Sequence, residues 1–209
     1  KRIDIGRICR ALKDPRVEGR STWGFGYVTE VVVGGMLSGI RTLRELETYS
    51  ELYEERIPDT TLHDVLVKID PTPLEKVLAR QVKEAIRSHE LDQAEIAYRV
   101  VSIDGKHLSI SDESVGEFSQ ERICETGTEY HNRALRAMLV SSPLKLHLGQ
   151  QMIQGRTSES PELLPFVDKL LTLYGPSVVP VVRIDAGMTS LANGNGLIER
   201  GIDPPSGGV

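Results

Sequence analysis

Two β-branched runs, each closed by an aspartate and a small residue, constrain this chain more than any other feature. The first is Val100-Val101-Ser102-Ile103-Asp104-Gly105-Lys106. The second is Val178-Val179-Pro180-Val181-Val182-Arg183-Ile184-Asp185-Ala186-Gly187. Such a run reads as a buried strand, and the small residue after the acid lets the chain turn sharply. A carboxylate at the mouth of a strand in an open α/β sheet lies where such sheets bind ligands. Two of them on neighbouring strands suit one divalent cation, because Mg²⁺ takes one or two carboxylates and fills its shell with water and phosphate oxygens. The plain alternative is that each aspartate merely ends a strand and caps a turn, which aspartate does well.

Composition narrows the classes. A chain of 209 residues is one large domain or two small ones, and 39% hydrophobic content is ample for a packed core. Aromatic residues are only 5%, so base stacking is not a major theme. A net charge of −5 is not the footprint of an autonomous nucleic-acid binder. The first twenty residues nonetheless gather Lys1, Arg2, Arg7, Arg10, Lys13, Arg16 and Arg20 against Asp4, Asp14 and Glu18. That makes either a local basic face or an ordinary solvated surface. The two cysteines, Cys9 and Cys124, form neither a disulfide framework nor a zinc pattern, and they fit a reducing compartment. No apolar stretch approaches the roughly 20 residues needed to span a bilayer. No signal peptide is visible. The chain begins at Lys1 and ends in Pro204-Pro205-Ser206-Gly207-Gly208-Val209, and both ends read as cut or divergent.

The pattern changes near residue 96. Before it the chain reads as helical: a short amphipathic stretch from Arg7 to Lys13, an apolar helix over Tyr27 to Leu37, and a helix from Thr42 to about Leu52. Thr42 and Glu45 have the spacing of a capping box. The Gly34-Gly35 pair costs helix propensity, so a close backbone approach is expected there. Leu62, Val65, Leu66 and Ile69 recur at helical spacing, and Leu74 to Ser88 is amphipathic. The element from Asp59 to Asp70 is either a groove-reading helix or a core-packing one. Its polar face of His63, Asp64, Lys68 and Asp70 lacks arginine and favours packing. After residue 96 the reading is a strand over Ile96 to Ile103, a polar loop or insertion over 109 to 132, and a hairpin of Ala134–Ser141 and Leu144–Ile153. A helix over Pro161 to Tyr174 capped by Ser160, the strand ending at Asp185 and a helix over 189 to 200 complete it. A mixed sheet with helices on its faces follows, with the two aspartates side by side if the strand order is the common one.

Several motifs, in order, resemble one family. Asp14-Pro15-Arg16-Val17-Glu18-Gly19-Arg20, then Met36-Leu37-Ser38-Gly39-Ile40-Arg41-Thr42-Leu43-Arg44-Glu45, then Ile57-Pro58-Asp59-Thr60-Thr61-Leu62-His63-Asp64-Val65-Leu66 and Ile69-Asp70-Pro71 look like the associated N-terminal domain of insertion-sequence transposases, relatives of the H-repeat-associated proteins. Ile103-Asp104-Gly105-Lys106, Ser158-Glu159-Ser160-Pro161-Glu162 and Ile184-Asp185-Ala186-Gly187 resemble the catalytic domain of the same DDE transposases. The likeness covers roughly residues 12 to 200. It implies an α+β or α/β chain with a helical module over 1–95 and a partial, ribonuclease-H-like mixed sheet over 96–209. It implies DNA strand cleavage and strand transfer, Asp104 and Asp185 as catalytic ligands of Mg²⁺ or Mn²⁺, and Lys106 as a DNA-phosphate contact or a restraint on the carboxylate. DNA (transposon ends and target) and a second copy of the chain are the implied partners, in the bacterial cytoplasm near the nucleoid. The family's third acid, a glutamate on a later helix, is expected beyond this chain's end. Glu159, Glu162 and Glu199 are the remaining candidates for it, and the alternative is a non-catalytic DNA- or protein-binding remnant. The polar stretch from Ser109 to Asn132 also departs from the family.

Other residues carry weaker signals. Glu159 and Glu162 open a helix, where acids meet the positive end of its dipole. His107 beside a strand end reads as structural or solvated. His131 and His147 have no ligand-spaced partners in the sequence, and Cys9 and Cys124 no neighbouring base.

Overall fold

A computed structural model describes residues 6, 9, 12–17, 19, 21–92, 98–110, 116, 118–124, 127–142, 145–154 and 157–203. Most of the Arg7–Lys13 stretch and the residues Lys1, Arg2, Arg7, Arg10 and Arg20 of the basic N-terminal cluster lie outside them. The chain forms two compact units, residues 1–77 and 78–209. No helix among the described residues is long and apolar enough to cross a membrane.

The first unit is helical. Helix α1 spans Phe25–Leu37, α2 Leu43–Glu51 and α3 Asp59–Lys68, while α4 (Thr72–Arg87) begins in this unit and ends in the next. Thr42 accepts from the Glu45 amide and the Glu45 carboxylate accepts from the Thr42 amide, so α2 starts with the expected capping box. Val28, Val31, Val32, Leu46, Ile57, Leu62 and Val65 form the core. The glycine pair in α1 meets α2 as expected. A methyl carbon on Gly35 would lie 2.2 Å from Leu46 Cδ2, and one on Gly34 3.1 Å from the hydroxyls of Tyr49 and Tyr53. Helix α3 buries Leu62 and Val65 while His63 and Asp64 stay exposed, the arrangement of a core-packing helix.

The second unit is a mixed five-stranded sheet with helices. Strand β1 spans Val100–Ile110, β2 Ser119–Cys124, β3 Gly127–Leu139, β4 Leu146–Ile153 and β5 Val181–Ile184; α5 spans Glu159–Tyr174 and α6 Leu191–Glu199. β3 lies antiparallel to β1 along one edge. Along its other edge it pairs first with β2 and then with β4, both antiparallel. Helix α5 carries the chain from β4 to β5, which returns parallel to β1. This is a mixed α/β architecture consistent with a ribonuclease-H-like α+β fold. Val101, Ile103, Leu135, Ala137, Leu139 and Ile153 of the sheet share one core with Leu163, Phe166, Val167 and Leu170 of α5. Ala79 and Val82, from the second half of α4, belong to the same core.

Three local expectations differ from the structure. The described residues of the polar stretch 109–132 are largely strand, an insertion rather than a loop: β1 runs on to Ile110, and β2 and the first half of β3 pair as a ribbon. Its side chains are largely exposed, so the apolar alternation that reveals a strand is missing and the backbone ladder holds it. Asp104 therefore lies within β1 rather than at its end, because β3 keeps pairing after β5 has stopped. Helix α5 starts two residues early, at Glu159, with Ser158 at the cap position.

Candidate metal and phosphate face

Register decides where the two aspartates go. In the parallel pair, Val101 sits beside Val182, Ser102 beside Arg183 and Ile103 beside Ile184. Asp104 follows within β1, while Asp185 lies just past the end of β5, at the cap of the turn Ala186–Met188. Neighbouring strands run about 4.8 Å apart and residues in register point to one face. Both aspartates are exposed, each directly after one of the paired residues Ile103 and Ile184. Val101, Ile103, Val182 and Ile184 supply the apolar packing of β1 and β5 that fixes this register.

Asp185 also serves its chain locally. Its Oδ1 accepts from the Ala186 amide at 2.7 Å and caps the short 3₁₀ turn Ala186–Met188. Its carbonyl accepts from Thr189 Oγ1 at 3.2 Å. The turn-capping reading therefore holds for Asp185, with the second carboxylate oxygen left over. It does not describe Asp104, which neither ends a strand nor caps a turn.

The same face carries cations. Across β3, Asp104 is paired with Arg136, and Arg136 in turn with Gln150 of β4. One row along, Arg183, Ser102, Met138 and His147 lie on that face. Lys106, two residues beyond Asp104, shares its side of the strand and is exposed, beside Ala134. The His147 imidazole is held below its ordinary pKa by burial and, secondarily, by the Arg136 charge.

The opposite face is closed. A methyl carbon on Gly105 would lie 2.0 Å from Glu159 Oε1, so the glycine makes room for that carboxylate. Arg133 Nη2 donates to Glu159 Oε1 at 2.5 Å, and the two side chains are only 18% and 17% exposed. Glu162 accepts from Gln151 Nε2 at 3.1 Å. Gly105 is paired with Leu135 and Leu135 with Gln151, all in the row facing α5. Glu159 and Glu162 thus lie across the sheet from Asp104, each with a polar partner. Glu199 is exposed at the end of α6. None of the three joins the aspartates, and no group of three His, Cys, Asp or Glu among the described residues is placed to hold a metal ion.

Two features were out of reach of the sequence. Arg136 enters the face only through its pairing with Asp104. His107 and His131 stack with ring centroids 4.7 Å apart. The His131 imidazole is pushed below its usual pKa by burial first, then by the charges of His107, Arg133 and Arg122. Cys9 is a buried free thiol.

The donors are of the type a hard divalent cation takes: two exposed carboxylates, whose remaining partners would be water and phosphate oxygens. The fold and face define a class, a mixed α/β sheet unit with an acidic pair at the junction of its antiparallel and parallel strands. No protein-family model matches this chain, and no curated protein matches it. Among solved structures it is similar to the crystal structure of a pre-cleavage Mos1 transpososome, at 11% identity and a TM-score of 0.34. The match covers 90% of this chain and spans 60% of that one. So distant a likeness carries neither the fold nor the face, which rest on the strand register.

Proposed function

We propose that the chain derives from a metal-dependent DNA transposase, acting in DNA strand cleavage and strand transfer through Asp104 and Asp185. The observation that supports this reading is the parallel register of β1 and β5, in which Ile103 pairs with Ile184, the residues directly before the two aspartates. Bound between them, Mg²⁺ or Mn²⁺ would supply charge neutralisation at a phosphodiester and its leaving oxygen. The protein's own part is to hold the cation with Asp104 and the uncapped oxygen of Asp185, and to meet a DNA phosphate with Lys106. The helical residues 1–95 would hold DNA or a second subunit, and residues 96–209 form the catalytic part. The test is a Mn²⁺ titration followed by calorimetry, with strand cleavage of a labelled duplex measured in parallel. Asp104→Ala and Asp185→Ala should each abolish the tight Mn²⁺ site; unchanged affinity in both would overturn the reading.

A second reading is a non-catalytic DNA- or protein-binding descendant of such an enzyme. It is favoured by the engagement of Glu159 with Arg133 and of Glu162 with Gln151 on the far face. DNA binding or dimerisation that persists in the Asp104→Ala/Asp185→Ala double variant, with no cleavage by the parent chain, would select it.

A further inference from the structure

Arg136 poses a physical problem. Its Nε is buried and has no hydrogen-bond partner among the described residues. An unpaired guanidinium nitrogen away from water is costly, and a carboxylate stands opposite it on the neighbouring strand. Yet no ion pair links Arg136 to Asp104 among the described residues. Gln150, on its other side, gives it no bond either. Arg133, three residues earlier and on the other face, also has a buried Nε without a partner, but its Nη2 is clamped to Glu159. Arg136 lies between the Asp104 carboxylate and the Gln150 side-chain amide, neither with a side-chain partner among the described residues, on a face that also holds Lys106, Arg183 and the half-buried His147.

We propose that Arg136 is a phosphodiester-binding residue, and that the strip beside the two aspartates (Arg136 with Lys106) is a phosphate subsite. The inference rests on the proposed metal role of Asp104 and Asp185, and extends it to the group that accompanies the metal. Arginine presents a rigid fork of donors that matches phosphate oxygens two at a time. A phosphate placed over β1 and β3 would meet the guanidinium through its Nη nitrogens, which are not among its buried unpartnered atoms, while offering its other oxygens toward a cation held by the carboxylates. One anion then reconciles two neighbouring groups of opposite charge that do not pair with each other.

The proposal makes an unusual pair of opposed expectations. A cation next to a metal site repels the metal, so Arg136→Ala should tighten binding of Mn²⁺ alone several-fold. The same substitution removes a charge-assisted contact to phosphate, so it should weaken binding of a short oligonucleotide roughly tenfold or more. Arg136→Lys should recover part of the oligonucleotide affinity, as a point charge without the fork. The experiment is calorimetry of the full chain with MnCl₂ alone, and fluorescence anisotropy with a labelled twelve-nucleotide strand in Mn²⁺ and in EDTA. If Arg136 were merely structural, Arg136→Ala would weaken both equilibria together and Arg136→Lys would rescue neither; that outcome, or unchanged oligonucleotide affinity, overturns the proposal. The metal reading fails separately: Asp104→Ala and Asp185→Ala leaving Mn²⁺ affinity untouched would sink it, while an Arg136-dependent affinity in EDTA would keep the phosphate subsite standing.

Discussion

The two faces of one sheet treat their charges in opposite ways. On the side of α5, Glu159 is pinned by Arg133 over the bare backbone of Gly105, and the surroundings are apolar. On the other side Asp104, Arg136 and Lys106 stand in adjacent rows without closing into ion pairs among the described residues, and Asp185 follows the end of β5. An acid with a built-in partner is part of the structure. An acid left without one is available to something from outside. Adjacent residues of β1, Asp104 and Gly105, belong to these two regimes because side chains alternate across a strand.

This contrast can be broken by substitution, and the α5 face should give the larger losses. Gly105→Ala drives a methyl group into the pinned carboxylate and should cost about 3 kcal/mol, the upper end for overpacking. Denaturant unfolding would show it, and a Glu159→Ala background should absorb part of the loss. Glu159→Ala alone takes the carboxylate from the mostly buried Arg133 and leaves it the Thr157 carbonyl, at about 2 kcal/mol in the same measurement. Tyr174→Phe removes the buried hydroxyl that donates to the Leu148 carbonyl at 2.5 Å and should cost about 1 kcal/mol. On the open face, Asp104→Asn should leave the melting temperature unchanged or raise it slightly, since the exposed carboxylate has no partner among the described residues to lose. A marked destabilisation would mean that Asp104 has a structural partner after all.

The smallest effect concerns pH. His147 has a folded pKa below its unfolded value of about 6.5, so the unfolded chain binds more protons in the window between the two. The stability contributed by neutral His147 is complete above that unfolded value and is lost as pH falls toward the folded pKa. His147→Gln should flatten the acid side of a stability–pH curve. Arg136→Ala should flatten it less, because burial is the larger cause of the shift.

Much of this was legible in the chain before folding. The Thr42–Glu45 capping box, the close approach at Gly34-Gly35 and the helix leading to Tyr174 each follow from local chemistry: cap spacing, missing side chains and an apolar stripe. The β2–β3 ribbon escaped notice because strands exposed on both faces carry no apolar alternation, the signal on which strand reading depends. Arg136 escaped notice because nothing in Leu135-Arg136-Ala137 distinguishes a ligand-binding arginine from a solvated one.

The sequence by itself determined that two aspartates would sit on buried β-branched runs, since such runs are stable only as covered strands. Tertiary structure alone decided which side of the sheet each charge faces and which charge stands opposite it. Pairing register is set by long-range packing of Val101, Ile103, Val182 and Leu135, and a slip of one residue would send every side chain to the other face.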